Sequence, residues 1–338
     1  MGVDRINKID AFRRIKDSYA AASAPKCKSK YTFHFLLFTF HFLFLFAMPA
    51  FSQQQEKELA VAFTGDILLD RGVRRQIETD GIESLFTSRM DSLLQTADYV
   101  VGNLECPATK IRAPLFKRFV FRGEPEWLDA LRRHGFTHLN LANNHSVDQG
   151  RRGLMSTARN IRKAGIIPFG ADSTLHAAAK PLLLASSPRE VFLLSSVQMP
   201  LEQFPYLPDR PTPTVLSVDS LCNRIRGLKA AHPGGCVILS LHWGREHTLD
   251  PTPKQRTEAR RLVEAGADAI VCHHPHTFQR VESYRGVPIF YSIGNYIFDL
   301  QQDINRKGAV VVLRITADSV KAEQHPYTIE GCTPILDR

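Results

Sequence analysis

The chain has 338 residues, which allows one large domain or two ordinary ones, and either can bury a full core. With 43% hydrophobic and 23% charged residues, 20 Gly and 20 Pro, its composition is that of an ordinary α/β protein, which excludes a low-complexity or wholly disordered chain. The formal charge of +9 hints at nucleic acid, but residues 1–30 hold eight Lys/Arg against three Asp/Glu, so the body keeps only about +4 in scattered pairs such as Arg132 and Arg133, and no nucleic-acid partner is expected.

The N-terminal stretch Tyr31 to Phe51 is almost wholly apolar, with an unbroken run from Phe42 to Phe46, and residues 31–52 contain no Lys, Arg, Asp or Glu. A basic segment, an apolar core and a small-x-small end at Ala50-Phe51-Ser52 predict an export signal cleaved after Ser52. The alternative is an uncleaved membrane anchor, which the length just permits. Residues 1–52 are thus read as a basic n-region with an export signal or anchor. Residues 53–338 are read as the folded body, periplasmic or at the cell surface. The six cysteines include no Cys-x-x-Cys, and Cys236 and Cys272 sit in apolar runs, so neither a disulfide framework nor a zinc ribbon is expected.

From Leu59 onward strands alternate with helices. Leu59 to Thr64 predicts a strand running into Gly65-Asp66. Helices are predicted around Val73 to Thr79 and over Ile82 to Thr96, the latter from apolar residues at helical spacing. Tyr99-Val-Val predicts a strand that empties into Gly102-Asn103-Leu104-Glu105. Pro125 to Arg133 predicts a helix with proline in its first turn. Thr137 to Ala142 predicts a strand ending in Asn143-Asn144-His145, and Gly150 to Ala164 a helix stopped by Gly165. Ile166 to Phe169 follows as a strand, then a hairpin of Leu182 to Ala185 with Val191 to Val197. Beyond the proline-rich loop Gln198 to Pro213 come a helix (Ser217 to Ala231), a strand (Cys236 to Leu241), a helix (Pro253 to Ala265) and a strand (Ala269 to Cys272). A hairpin of Arg280 to Tyr284 with Pro288 to Ser292 and late strands Val310 to Ile315 and Val320 to Gln324 complete the pattern. Such alternation predicts a layered α/β sandwich.

Five of these apolar runs end in residues of metal-ligand type: Asp66; Asn103 with Glu105; Asn144 with His145; His242; and His274 with His276. In open α/β sheets the carboxyl ends of strands line one crevice, so residues far apart in sequence converge there. Pro275, with its fixed φ, stiffens the loop between the last two imidazoles. Carboxylate, amide oxygen and imidazole together suit a divalent ion such as Mn, Zn or Fe. Each residue also has a plainer reading: Asp66 as a helix N-cap, Glu105 as a surface acid, Asn103 as a turn residue, His145 and His242 as buried structural histidines.

The blocks Gly65-Asp66 with Arg71, Asn103-Leu104-Glu105, Asn143-Asn144-His145 with Asp148 and Gly150, His242-Trp243-Gly244 with Glu246, His273-His274-Pro275-His276, and Tyr291-Ser292-Ile293-Gly294-Asn295 with Phe298-Asp299 resemble the signature of the CapA family. These capsule-synthesis, poly-γ-glutamate-associated proteins are themselves similar to calcineurin-like metallophosphoesterases. The resemblance implies a four-layer α/β/β/α sandwich of the metallo-dependent phosphatase type. It also implies one or two divalent metals, an anionic polymer substrate and membrane-bound capsule synthesis machinery as partner. Carried over, Asp66, Asn144, His242, His274 and His276 are metal ligands and His145 is the acid that protonates the leaving group. The bridging acid is Asn103 or Glu105, and charge favours Glu105. Arg71, with Arg122 as a second candidate, would hold a carboxylate or phosphate of the substrate. The phosphoesterases have a histidine two residues after the first aspartate, where this chain has Leu68. Two further functions stay open: a non-catalytic polymer-binding protein of capsule assembly and a metal-dependent phosphodiesterase.

Overall fold

Nine consecutive buried residues, Leu59–Ile67, form strand β1 inside the largest of three sheets among the described residues. The structure is a computed structural model that describes residues 57–338; the export or anchor segment expected over residues 31–52 lies outside the described residues. Each of β2 (Tyr99–Leu104), β3 (His138–Asn140) and β4 (Ile167–Phe169) runs parallel to the strand before it. Parallel neighbours need crossovers. These are α1 (Arg71–Asp80) and α2 (Ser88–Leu94), then α3 (Leu128–Arg133), then α4 (Gly150–Lys163).

The chain then crosses to the second sheet. β5 (Ala171–Asp172) and α5 (Leu175–Ala178) lead into a hairpin of β6 (Leu182–Ala185) and β7 (Val191–Val197), and β8 (Thr212–Pro213) pairs back onto β5. α6 (Val218–Ala231), β9 (Cys236–His242), α7 (Pro253–Glu264) and β10 (Ala269–His273) repeat the parallel crossover. A hairpin of β11 (Val281–Tyr284) and β12 (Val287–Phe290) closes that sheet. β13 (Asn295–Ile297) returns to lie beside β1, and after α8 (Asp303–Arg306) the antiparallel strands β14 (Lys307–Ile315), β15 (Val320–Glu330) and β16 (Thr333–Leu336) extend the first sheet. The orders are β16-β15-β14-β1-β2-β3-β4, with β13 beside β1, and β11-β12-β10-β9-β7-β6.

Side-chain alternation turns these sheets into four layers. On β1, Ala60 and Ala62 join Val73, Leu94, Leu131 and Ile161 of the covering helices, while Val61 and Phe63 face the other way into a cluster with Leu193, Ile238, Val271 and Val311. On β9, Val237, Leu239 and Leu241 pack against Leu221 and Ile225 of α6 and Leu262 of α7. Helices, sheet, sheet and helices therefore stack as α/β/β/α. Each fully buried aliphatic side chain in these clusters contributes about 1.5–3 kcal/mol.

Several predicted elements differ in detail. The helix expected over Ile82 to Thr96 is a 3-10 turn, Ile82–Leu85, followed by α2, because Phe86 is extended and the Thr87 side chain accepts from the Met90 amide and starts a new helix. Likewise Pro125–Trp127 is a 3-10 turn before α3. β15 runs six residues past the expected Gln324, and β16 was not expected.

The approach of β13 to β1 depends on Gly65. A Cβ there would lie 2.2 Å from the Gly294 carbonyl oxygen, and backbone cannot swing aside as a side chain can. Gly65→Ala is therefore expected to lower the free energy of unfolding by about 1–3 kcal/mol. Gly227→Ala on α6, where nothing lies within 4 Å, should raise it by about 0.5–1 kcal/mol. Urea unfolding of the two variants checks the pair, and equal midpoints would contradict the close approach.

Candidate metal centre

The carboxyl ends of β1 and β2 in one sheet and of β9 and β10 in the other open onto the same crevice. Asp66 ends β1, Glu105 follows β2, His242 ends β9, and His274 and His276 follow β10. All five are buried. Donor atoms of Glu105, His242 and His274 lie within 4.8 Å of one another, and so do those of Asp66, Glu105 and His276. Glu105 belongs to both groups.

Amides hold this cluster open. Asn103 Nδ2 donates to Asp66 Oδ1 at 2.7 Å, and its Oδ1 accepts from Asn140 and Asn143, each at 3.2 Å. In this arrangement Asn103 spaces the carboxylate rather than pointing an oxygen at the centre. Asn144 Oδ1 lies 2.8 Å from His242 Nε2. His276 Nδ1 is 2.8 Å from Asn295 Oδ1 and 3.4 Å from Asp66 Oδ2. Two residues of the last loop take left-handed backbone, His274 at φ 102° and His276 at φ 57°. Such geometry is costly for side chains with a Cβ and marks functional loops.

The electrostatics point one way. Both Glu105 oxygens are buried without a hydrogen-bond partner, and its nearest imidazole nitrogens are His242 Nε2 at 3.5 Å and His276 Nε2 at 3.8 Å. Burial, reinforced by the Asp66 charge, pushes the Glu105 carboxyl well above the usual range. At Asp66 burial acts upward too, but the His276 hydrogen bond and the surrounding imidazoles hold it below its ordinary value. Burial drives His242 well down and His274 to about 3, with imidazole neighbours adding to it. At His276 burial is overcome by Glu105 and Asp66, which push it up to about 9. Two carboxyl groups, imidazoles at His242 and His274 kept neutral by burial, orphaned oxygens on Glu105 and an orphaned Nδ1 on His274 form a donor set that fits a divalent cation.

His145 stands beside the cluster. Its Nδ1 is 2.9 Å from Asp148 Oδ2 and its ring packs on Phe121 with centroids 4.3 Å apart. Burial lowers its pKa, and the Asp148 hydrogen bond opposes that. Behind Asp148 is Lys117, whose side chain is 3% exposed and whose Nζ reaches Asp148 Oδ1 at 2.5 Å and the Asn144 carbonyl at 3.1 Å.

The description "Bacterial capsule synthesis protein PGA_cap" matches residues 60–300. The chain belongs to that family. Among PGA_cap relatives it is similar to the PGA biosynthesis protein CapA of Bacillus subtilis (strain 168), 31% identical over 289 residues that cover 85% of this chain and 76% of the relative. The capsule biosynthesis protein CapA of Bacillus anthracis is 29% identical over 75% of this chain and 63% of its own length. Among solved structures it is similar to the NAD nucleotidase NadN of Haemophilus influenzae, with a TM-score of 0.48 and 10% identity over 81% of this chain and 57% of that one. The layer order above rests on this chain's own strands and clusters.

Within this PGA_cap chain, two arginines expected at the substrate are otherwise engaged. Arg71 pairs with Asp299 through two nitrogens, Nε at 3.0 Å and Nη2, and its guanidinium lies over Phe121 and Phe298 at 5.3 and 5.8 Å. It stands at the rim of the centre with its fork already filled. Arg122 binds the Thr109 carbonyl and Glu124, so it too has no free face for a substrate. Leu68 is fully buried in the helix-side core, so no side chain replaces the missing histidine there. Sequence reasoning missed Lys117, a single lysine in an irregular loop, and the amides Asn140, Asn295 and Asn305, the last of which donates its Nδ2 to the His276 carbonyl at 2.7 Å. Only Asn295 lay in a quoted motif.

Two outcomes test the arrangement. In wild type, adding Mn²⁺ or Zn²⁺ at a hundredfold over Kd should stabilise the fold by about 2.7 kcal/mol. Glu105→Gln should abolish that gain and leave the chelator-treated protein no less stable than wild type, read by thermal unfolding. Lys117→Ala, which leaves the buried Asp148 carboxylate without its ammonium partner, should cost about 3–5 kcal/mol in urea unfolding.

Proposed function

We propose that this protein acts outside the cytoplasm in the synthesis, release or anchoring of an anionic capsule polymer of the poly-γ-glutamate type, through divalent-metal-dependent hydrolysis or transfer. The observation that carries this reading is the partnerless Glu105 carboxylate, shared by two groups of metal-ligand type. The relatives named for PGA and capsule biosynthesis in Bacillus suggest the polymer. Asp66, Glu105, Asn144, His242, His274 and His276 would hold the ion. A divalent ion in such a site polarises the scissile group and makes nearby water more acidic.

The remaining chemistry belongs to this chain's own side chains. Asp148 occupies His145 Nδ1, which leaves Nε2 as the nitrogen that exchanges its proton with the leaving group. Burial weakens the hold of the imidazole on that proton, so donation is easy once the leaving atom develops charge. Lys117 ties Asp148 to the Asn144 backbone, so the proton donor and a metal-ligand residue keep a fixed relation. Export belongs to the same proposal. The apolar stretch Tyr31 to Phe51 is either cleaved after Ser52 or kept as an anchor close to membrane-bound capsule machinery, and residues 53–338 act as one body.

Leu68 favours a second reading, in which a thinner donor set binds the polymer without turning it over. One assay separates the two. The purified protein is given poly-γ-glutamate and a phosphodiester, and its metal content is measured alongside. The expected result is polymer cleavage or transfer, reduced about 10²–10⁴-fold in His145→Ala at unchanged metal content. Equal activity in the variant removes His145 as the acid. Binding without turnover in wild type selects the second reading, and cleavage of the phosphodiester alone makes the protein a phosphodiesterase.

A further inference from the structure

A second concentration of charge lies away from the metal centre. Arg256 and Arg260, four residues apart on one face of α7, and Arg280, just before β11, line a pocket of about 240 Å³. Pro251 and Val281 give it apolar walls, and Tyr291 lines it as well.

Among the described residues, only two carboxylates answer the three guanidinium groups. Glu282 is fully used, since Oε1 takes Arg260 Nε at 2.8 Å and Oε2 takes the Tyr291 hydroxyl at 2.8 Å. Asp250 offers one oxygen, 3.0 Å from Arg280 Nε and 3.8 Å from Arg256 Nη2, the latter beyond hydrogen-bond reach. Both close pairs run through Nε. The Nη groups of Arg260 and Arg280, which grip a carboxylate or phosphate two bonds at a time, have no hydrogen-bond partner among the described residues. The arginine side chains are 42%, 48% and 71% exposed for Arg256, Arg260 and Arg280, so an anion can reach them from solvent.

The pocket is joined to the metal centre by a short, stitched path. The loops carrying His247 and His276 run side by side: His247 donates its amide to the Pro275 carbonyl at 2.9 Å, Thr277 Oγ1 donates to the Thr248 carbonyl at 2.6 Å, and the Arg280 amide donates to the Leu249 carbonyl at 3.2 Å. Arg280 follows His276 by four residues, so at most about 14 Å of chain separates them. That distance is a few units of an extended polymer, so one chain held at the metal centre would be long enough to reach the arginines.

We propose that Arg256, Arg260 and Arg280 form a second anion subsite that grips a carboxylate of the polymer several units from the reacting bond. The subsite rests on the polymer reading above. It makes the protein select chains over single anions, because a second grip on one ligand acts at high effective concentration. A lone carboxylate meets only a solvent-screened pocket and is held weakly.

The test uses the full chain, fluorescently labelled poly-γ-glutamate, and free glutamate and inorganic phosphate as competitors. The Arg256→Gln/Arg260→Gln/Arg280→Gln variant should raise the polymer Kd about tenfold or more. The most exposed position, Arg280→Gln alone, should give a smaller rise with no change in thermal stability or metal content, and Arg280→Lys should recover only part of the loss. Repeating the measurement in a Glu105→Gln background should preserve the arginine dependence. Unchanged polymer Kd in both the triple variant and Arg280→Gln would overturn the subsite. So would phosphate competing as well as polymer of the same total charge. Arginine-dependent binding without turnover in wild type would remove the hydrolytic reading and keep the subsite. Turnover with arginine-independent binding would do the reverse.

Discussion

A carboxyl group sealed from water without a hydrogen bond is costly for a fold, above all in its charged form, and Glu105 is one, its pKa pushed well up by burial. The centre is organised around that cost. Imidazoles from the second sheet close over it from one side, and Asp66 and its spacing amides hold the other. Hydrogen bonds from side chains would satisfy Glu105 at once, but His242 and His276 stay 3.5 and 3.8 Å away. A divalent cation held by those donors would remove the penalty.

The two sheets deliver these donors because their parallel strands end on the same side. β1 brings Asp66, β2 leads into Glu105, and β9 and β10 lead to the histidines. His273 ties the sheets together: its Nε2 lies 3.1 Å from the Thr64 carbonyl of β1. Its partner across the ladder is His242, so the ligand-bearing ends of β9 and β10 are held in register with β1. Packing between the sheets, centred on Phe63, Ile238 and Val271, fixes their spacing. The fold and the donor geometry are therefore one structure rather than a scaffold with a site added.

Much of this was legible in the sequence, for physical reasons. Buried parallel strands read as continuous apolar runs, and the polar residues that end them mark the crevice, which is why Asp66, Glu105, His242, His274 and His276 could be named together. Part of what was lost depended on partners far along the chain. Arg71 was read as a free anion grip because nothing local reveals Asp299, 228 positions later, filling its fork. Lys117 carried no signal, since its value comes from the buried Asp148 it meets. Helical spacing over Ile82 to Thr96 could not register that Thr87 restarts the helix. β16 was invisible because Thr333–Leu336 is four residues long and contains a proline.

The proposed chemistry depends on a cation bound at Glu105. Crystals of the protein soaked in Mn²⁺ or Zn²⁺, with data collected at the metal's absorption edge, test this most directly. The predicted result is an anomalous peak within about 2.0–2.3 Å of a Glu105 oxygen and of at least two imidazole nitrogens from His242, His274 and His276. Metal found only on the surface, with the Glu105 carboxylate still bare and the histidines unmoved, would contradict it.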